Sequence, residues 1–498
     1  MTAKPREGLT PIRFGTDGWR AVIAHEFTFD NVERVAQAYA DYLTNQPRQA
    51  TTSNANEQVS QPPGVPREMS SQPHVVIGYD RRFLSEQFAR RAAEVFAGNE
   101  LKVSLFDMDV PTPLVSWAVR ESGAAGGVVI TASHNPAHFN GFKIKAPWGG
   151  SASPEMTSAV ESLLDARAPR RANLPETKRD VLESAVKTYR AQVAAYVDLE
   201  RLRSTRARIV VDPMHGSGGR WVESFLGGGT LEVETIRAER DPLFGGVAPE
   251  PIDRNLSPLK GRVRETGALI GLATDGDADR VGAVGDGGET MTMHEVVPLI
   301  LLHLARRGGT SGGIVRTFSQ SVLLKRIAAA HNLKLYETPI GFKYVAELML
   351  REDILIGAEE SGGIGVRGHI PERDGILNSL LLLDAVVASG KKPGEMVREM
   401  HREYGDFYFG RRDLHTDVAS GLELVSRLAS NAPLKVGEYA VTGVETLDGT
   451  KLIFGDESWL LFRQSGTEPV LRIYAEATSV AKMQTLLEHG SRVAVNSF

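Results

Sequence analysis

Short apolar runs recur along the chain, separated by polar, glycine-rich loops and by stretches long enough for helices. Val75-Val76-Ile77-Gly78, Val103-Ser104-Leu105-Phe106 and Gly127-Val128-Val129-Ile130 have the length and continuity of buried strands. Apolar residues at helical spacing fill 32–42 and the region around Trp117. The same order then returns twice. Residues 208–213, 231–236 and 269–273 predict a second set of strands, and 313–316, 334–336 and 354–357 a third. Each set ends in the most polar loop of its block: 131–136, 275–280 and 359–363. Any α/β protein repeats strand, loop and helix. Here the chemically rich loop takes a comparable place each time, which favours an internal repeat.

Beyond about Phe409 the rhythm changes. A helix is expected over 422–428, and alternation over 439–444, 451–454, 459–462 and 470–474 predicts antiparallel strands. The expected fold is therefore α/β: three consecutive α/β domains with mixed, mostly parallel sheets, then a C-terminal α+β domain. The expected divisions are 1–203, 204–308, 309–408 and 409–498. Residues 45–72 turn to Gln, Ser, Thr, Asn and Pro and read as a flexible surface insertion inside the first domain.

Composition narrows the function classes. A chain of 498 residues exceeds a single core. Its net charge of −5 argues against a nucleic-acid or anionic-membrane partner. With no cysteine there is no disulfide, thiol nucleophile or thiolate metal site. The N-terminus lacks an apolar signal core, and the longest apolar runs are too short for a bilayer or are broken by Asp384. A cytoplasmic location is expected.

Four loops carry candidate chemistry. In Thr131-Ala132-Ser133-His134-Asn135-Pro136 a serine is presented where a strand ends. Ser, Asn and Pro are turn formers, so that stretch alone also fits a plain turn. Asp275, Asp277 and Asp279 alternate within one loop and would repel without a cation among them. Oxygen ligands of this kind suit Mg²⁺ or Ca²⁺. An EF-hand is excluded, because Arg280 stands where its sixth-position Gly is required. Arg280 also suggests an anionic ligand beside the metal. Glu359 and Ser361 offer an acceptor and a hydroxyl suited to sugar hydroxyls, or a helix-capping segment. Arg463-Gln464-Ser465-Gly466-Thr467-Glu468-Pro469 has the composition of a phosphate-binding nest, and equally of a β-turn. Gly363-x-Gly365-x-x-Gly368 is followed by Pro371 and charged residues where a dinucleotide-binding helix should begin. Gly309-x-Ser311-x-Gly313 precedes a strand when a nucleophile elbow should follow one. Together the parts fit phosphoryl transfer, which depends on alignment and charge neutralisation.

With these residues in view, the chain resembles the α-D-phosphohexomutase family, in its phosphoglucomutase/phosphomannomutase branch. TASHNP at 131–136, DGDADR at 275–280, EESGG at 359–363 and RQSGTEP at 463–469 match in order. FGTDGWR at 14–20 and Val211-Asp212-Pro213-Met214-His215-Gly216 also look like the family. The resemblance implies four domains around a central cleft. It implies a phosphorylated Ser133, one Mg²⁺ held by Asp275, Asp277, Asp279 and the phosphoserine, and glucose 1,6-bisphosphate as intermediate and activator. It assigns proton transfer and charge stabilisation to Arg20 and Lys143 and places Arg280 beside the phosphoryl group, with His134 supporting the loop. An acid–base lysine needs a lowered pKa, and the neighbouring Arg20 would favour one; a purely electrostatic role for Lys143 stays open. The sugar would lie on Glu359 and Ser361 with Gly341 and Phe342 near the ring. The phosphate not being transferred would lie on Arg463, Ser465, Gly466 and Thr467.

One departure bears on the substrate. Members acting on both glucose and mannose often have a His where Gly363 stands, and Arg373 is placed to supply the cation that glucose-type members carry beyond this loop. The expected reaction is interconversion of glucose 1-phosphate and glucose 6-phosphate. Mannose or glucosamine phosphate, a bisphosphate-forming transferase and a non-catalytic sugar-phosphate binder remain alternatives, and the oligomeric state stays open.

Overall fold

The computed structural model describes residues 10–15, 17–45, 72–174, 179–308, 311–465 and 469–495. The sequence-expected insertion at 45–72 falls almost wholly outside the described residues, as do Gly466 and Thr467.

The first sheet comprises β1 (Trp19–Val22), β2 (His74–Tyr79), β3 (Lys102–Leu105), β4 (Gly126–Ile130) and β5 (Phe139–Lys145), in the order β1-β5-β4-β2-β3. The second comprises β6 (Arg208–Asp212), β7 (Glu232–Thr235), β8 (Ile270–Thr274), β9 (Val281–Val284) and β10 (Thr290–Met291), in the order β10-β9-β8-β6-β7. The third comprises β11 (Gly313–Thr317), β12 (Lys334–Thr338), β13 (Ile354–Ala358) and β14 (Ile364–Val366), in the order β12-β11-β13-β14. In each, three parallel strands end in a fourth that runs antiparallel: β4 to β5, β8 to β9 and β13 to β14. The three polar loops are the turns into those antiparallel strands. That is why each occupies the same place: the chain reverses at the carboxyl end of a buried strand, and its most polar residues collect at the reversal.

The sheets are thus mixed, and β5, β9 and β14 are the elements the apolar pattern does not mark. β5 carries Lys143 and Lys145, both fully buried, so its inward positions read as a solvent face.

The last sheet is antiparallel throughout, in the order β15 (Tyr408–His415), β20 (Val470–Ala477), β19 (Trp459–Gln464), β18 (Thr450–Phe454), β17 (Tyr439–Glu445), β16 (Lys435–Val436). The helices Val418–Ser430 and Val480–Val495 pack on one side of it through Leu424, Leu428, Leu486 and Ala494, against Leu460, Phe462, Leu471 and Ile473. Its place on the rest of the molecule is set by Glu476, a fully buried carboxylate. It accepts hydrogen bonds from Val322 N at 2.9 Å and Trp459 Nε1 at 3.0 Å, and lies 2.9 Å from His294 Nδ1.

One helix ties the second and third units together. Gly375–Ser389 begins at Asp374, whose side chain accepts from Leu377 N, and ends at Gly390 in the left-handed region, where a residue without Cβ closes a helix most cheaply. Leu380, Leu381, Leu382 and Leu383 are all fully buried, so the helix is enclosed on every side, and its buried Asp384 is paired with His303, Arg201 and Arg307. It packs against the helix Met293–Gly308 and also against β8 and β9 of the second sheet. No helix among the described residues is long and apolar enough to cross a membrane. Leu380→Ala should cost about 2–5 kcal/mol in chemical denaturation. A loss below about 1 kcal/mol would contradict this account of the shared core.

Candidate active site

Ser133 sits at the turn after β4 with φ 53°, in the left-handed region that non-glycine residues seldom adopt. The strain is held by a fixed frame. Thr131 Oγ1 accepts from Ser133 N at 2.8 Å and itself donates to Asp80 at 2.6 Å. Arg82, fully buried, donates to the carbonyls of Ser133, Asn135, Pro136 and Phe139 at 2.6–3.1 Å, with Asp80 beside its Nε. One guanidinium thus gathers the carbonyls of the turn and of the first residue of β5.

The acidic loop after β8 closes on this turn. Ser133 Oγ donates to Asp275 Oδ2 at 2.9 Å. A Cβ on Gly276 would lie 2.4 Å from the Ser133 carbonyl oxygen, so only glycine lets the two loops approach this closely. The segment after β6 supports the loop from behind: Ser217 N donates to the Gly276 carbonyl at 3.0 Å. From the first unit, Thr112 donates through both its N and its Oγ1 to Asp277, at 2.9 and 2.7 Å.

Asp275, Asp277 and Asp279 are fully buried, and one carboxylate oxygen from each lies within 4.8 Å of the others. Asp277 Oδ1 and Asp279 Oδ1 are buried with no hydrogen-bond partner. Burial, then Asp277 and Asp279, push the Asp275 carboxyl well up. Hard oxygens, close spacing and two unpartnered acceptors fit a divalent cation such as Mg²⁺.

The cations of the site sit round this cluster. Lys143 on β5 is fully buried, with its Nζ 2.9 Å from Asp17, 2.8 Å from Asp277 and 3.1 Å from Asp279. The sequence leaves open whether Lys143 has the lowered pKa of an acid–base lysine or acts through its charge alone. Burial does act downward, but Asp17, Asp277 and Asp279 outweigh it and raise the group above its ordinary value. Arg20 on β1 donates to Asn135 Oδ1 at 2.7 Å, next to the Ser133 turn. His134 Nδ1 lies 3.3 Å from Ser133 Oγ. Burial, then Arg280, Arg20, Lys143 and Arg82, hold its imidazole well below the usual value, so the ring is neutral. Arg280 bridges in backbone pairing to Gly363, joining the acidic loop to the third polar loop.

In that third loop Glu359 is nearly buried and Ser361 is partly exposed. The loop leads into strand β14, which removes helix capping as its explanation. Arg373, buried, reaches Asp17 at 2.6 Å, Asp279 at 2.9 Å, Glu372 at 3.2 Å and Glu359 at 3.9 Å. A Cβ on Gly363 would stand 2.4 Å from Arg373 Cδ, so Arg373 fills the space a side chain at 363 would need. Gly341, with φ 139°, starts the helix Phe342–Arg351. Phe342 lies in an apolar cluster with Val315, Val345 and Ile354, and the Arg373 guanidinium stands over its ring at 5.5 Å. Arg463 at the end of β19 pairs with Asp448 at 3.0 Å, and Asp448 also accepts from Ile340 N at 2.8 Å, which brings the C-terminal loop beside 339–343. Ser465 is buried, its N donating to Val470 O.

Sequence motifs pointed to Ser133, the three aspartates, Glu359 and Arg463. They did not point to Arg82, Thr112, Asp17 or Glu372. For Arg82 a signal existed: Asp80-Arg81-Arg82 directly follows an apolar strand, at the sheet end where the other loops lie.

Glu359 gives the site a pH dependence. Burial pushes its carboxyl up to about 7, against Arg373 and Arg280. The folded protein therefore holds this proton more tightly than the unfolded chain, whose value is 4.5. That contribution to stability is full below about 4.5 and is lost as pH rises through about 7. The melting temperature of Glu359→Gln, relative to wild type, should be higher at about pH 8 than at about pH 5. An equal difference at both pH values would show that Glu359 titrates normally.

Models of the phosphoglucomutase/phosphomannomutase alpha/beta/alpha domains I, II and III match residues 64–171, 187–288 and 293–404, and the model of the C-terminal domain matches 425–489. A phosphoglucomutase/phosphomannomutase of Thermococcus kodakarensis is 30% identical over 481 residues, covering 96% of this chain and 98% of its own. A solved structure from Thermus thermophilus that carries a phosphomannomutase name is 36% identical, with TM-score 0.81 over 97% of this chain and 99% of that one. N-acetylphosphoglucosamine mutase of Aspergillus fumigatus, solved with GlcNAc-6P and magnesium, shares the fold at 16% identity, with TM-score 0.56 over 98% of this chain and 95% of that one. With three serially repeated α/β units, an antiparallel C-terminal domain and the acidic triad set against a buried serine, the chain belongs to the phosphoglucomutase/phosphomannomutase family of α-D-phosphohexomutases and is an intramolecular phosphotransferase acting on hexose phosphates.

Proposed function

We propose that the protein interconverts glucose 1-phosphate and glucose 6-phosphate through a phosphorylated Ser133 and a glucose 1,6-bisphosphate intermediate. The observation that carries this reading is the convergence on one serine. Ser133 Oγ lies 2.9 Å from Asp275, within an acidic triad that Lys143 and Arg373 flank.

Asp275, Asp277 and Asp279, with the phosphoserine oxygens, are the groups suited to hold one Mg²⁺. When bound, the ion neutralises phosphoryl charge and polarises the phosphorus–oxygen bond. Ser133 gives its phosphoryl group to a sugar hydroxyl: the Oγ–P bond breaks, the sugar O–P bond forms, and the hydroxyl proton leaves to the enzyme. Lys143 and Arg280 stabilise the charge spread over the transferring oxygens. Lys143 is held as an ammonium by its carboxylates, so it acts through its charge, and the proton taken from the first sugar hydroxyl is returned to the other sugar oxygen when the second phosphoryl group comes back to Ser133. Arg20 holds the turn through Asn135, and the neutral His134 supports Ser133. The bisphosphate turns over in the cleft between the two transfers. Arg463, Ser465, Gly466 and Thr467 grip the phosphate that is not reacting, and an Arg fork suits two phosphate oxygens.

Glu359 and Ser361 take sugar hydroxyls, and Gly341 lets the backbone come close to the ring. Phe342 acts from beneath, through Arg373. The glucose assignment is supported by the complementary fit of Gly363 and Arg373. A His at 363 would collide with Arg373, so the cation beside the sugar loop comes from Arg373. The cluster's chemistry and the magnesium of the Aspergillus relative support Mg²⁺.

The test is turnover of glucose, mannose and glucosamine 1-phosphates with Mg²⁺ and a trace of glucose 1,6-bisphosphate. Glucose 1-phosphate should have the highest kcat/KM, and Ser133→Ala should lose more than about a thousandfold in kcat. Preference for another sugar would overturn the substrate assignment. Near-wild-type turnover by Ser133→Ala would overturn the mechanism.

A further inference from the structure

We propose that Asp17 is a positioning residue for the mutase reaction, fixing the spacing between Lys143, beside the reacting serine, and Arg373, beside the sugar loop. The inference rests on the roles proposed above for those two cations.

A single oxygen makes the link. Asp17 Oδ2 lies 2.9 Å from Lys143 Nζ and 2.6 Å from Arg373 NH2, and 3.9 Å from Arg20. Its other oxygen accepts from Ser151 Oγ at 3.0 Å. Ser151 Oγ, whose one proton the two carboxylates share, also lies 2.7 Å from Glu372, and Glu372 pairs with Lys145 at 2.6 Å. Asp17 and Lys143 belong to the first unit and Arg373 to the third, so the chain of contacts crosses a domain boundary. Burial would raise the Asp17 carboxyl, yet Lys143, Arg373, Lys145 and Arg20 hold it well below the usual range.

The backbone around Asp17 is pinned. Gly15 and Gly18 bridge across the turn, and Gly18 has φ 94°. A Cβ on Gly18 would lie 2.8 Å from the Phe142 carbonyl and 3.0 Å from Lys143 Cγ. The turn is therefore pressed against the strand that carries Lys143, and β1 continues it in register, Trp19 opposite Phe142. Asp17 cannot drift from its lysine without breaking this packing.

The other carboxylates on Lys143 are Asp277 and Asp279, and Asp279 is also shared with Arg373. Both belong to the acidic triad suited to a divalent cation. Asp17 lies outside that set, so its hold on the two cations is independent of the metal. Without it, a buried ammonium and guanidinium would face each other across the site with the metal ligands as their nearest counter-charges.

Asp17→Asn keeps the shape and the Ser151 contact and removes the charge. Three readouts separate positioning from mere structure. They are kcat and KM for the three hexose 1-phosphates, the calorimetric Kd for glucose 1-phosphate without metal, and the melting temperature. In Asp17→Asn, kcat should fall about a hundredfold while the metal-free Kd stays within about fivefold, since Arg463 still grips the phosphate. The ratio of kcat/KM between sugars should narrow, because Arg373 is no longer fixed. Asp17→Glu restores the charge at a longer reach and should recover about tenfold in kcat over Asn. Wild-type kcat and discrimination in Asp17→Asn would overturn the inference. A parallel loss of Kd, kcat and melting temperature in both variants would also overturn it, leaving Asp17 a structural residue. A wild-type protein inert on all three sugars would overturn the functional reading and this inference with it. An active wild type beside an unchanged Asn variant would overturn this inference alone.

Discussion

Asp275, Asp277 and Asp279 are withdrawn from water within a few ångströms of one another, as are Lys143, Lys145 and Arg373. Isolated burial of any one of them would cost several kcal/mol. Together they form an alternating set in which each cation touches at least one carboxylate: Lys143 with Asp17, Asp277 and Asp279, Arg373 with Asp17, Asp279 and Glu372, Lys145 with Glu372. What this arrangement leaves over is two carboxylate oxygens without a donor, Asp277 Oδ1 and Asp279 Oδ1. Those two oxygens are the acceptors that a divalent cation held by the triad would meet.

The fold serves this set through a repeated device. Three times a parallel strand ends, the chain turns through its most polar residues, and an antiparallel strand carries it back. The turns meet, so that one supplies Ser133, one the three aspartates and one Glu359 and Ser361. The long helix Gly375–Ser389 packs on the second sheet although it follows the third, which fixes the distance between the acidic loop and the loop of Glu359. The C-terminal sheet is set by the buried Glu476, and Asp448 brings Arg463 to the same place.

The apolar rhythm of the sequence was enough to reveal the parallel strands and their loops, because buried strands are continuous and their ends are polar. The antiparallel partners were hidden for a physical reason. β5 reads as a half-exposed strand because of Lys143 and Lys145, and both lysines turn inward to carboxylates. Local motifs exposed Ser133, the triad and Arg463, whose chemistry lies within a few residues. Arg82 and Thr112 escaped because their partners lie 51 and 165 residues away. Asp17 lay within a motif that was noticed, but its link to Arg373 spans 356 residues and exists only in the folded chain. The raised pKa of Lys143 is of the same kind: Asp17 from its own unit and Asp277 and Asp279 from the second unit produce it, and the sequence shows none of these approaches.

The central claim is that the acidic cluster at Ser133 is built round a divalent cation. Calorimetric titration of metal-free protein with Mg²⁺, with melting temperature followed in parallel, tests it most directly. One Mg²⁺ per chain, a melting temperature that rises with Mg²⁺, and loss of both in Asp277→Asn are expected. An unchanged melting temperature and no binding heat at millimolar Mg²⁺ would contradict it.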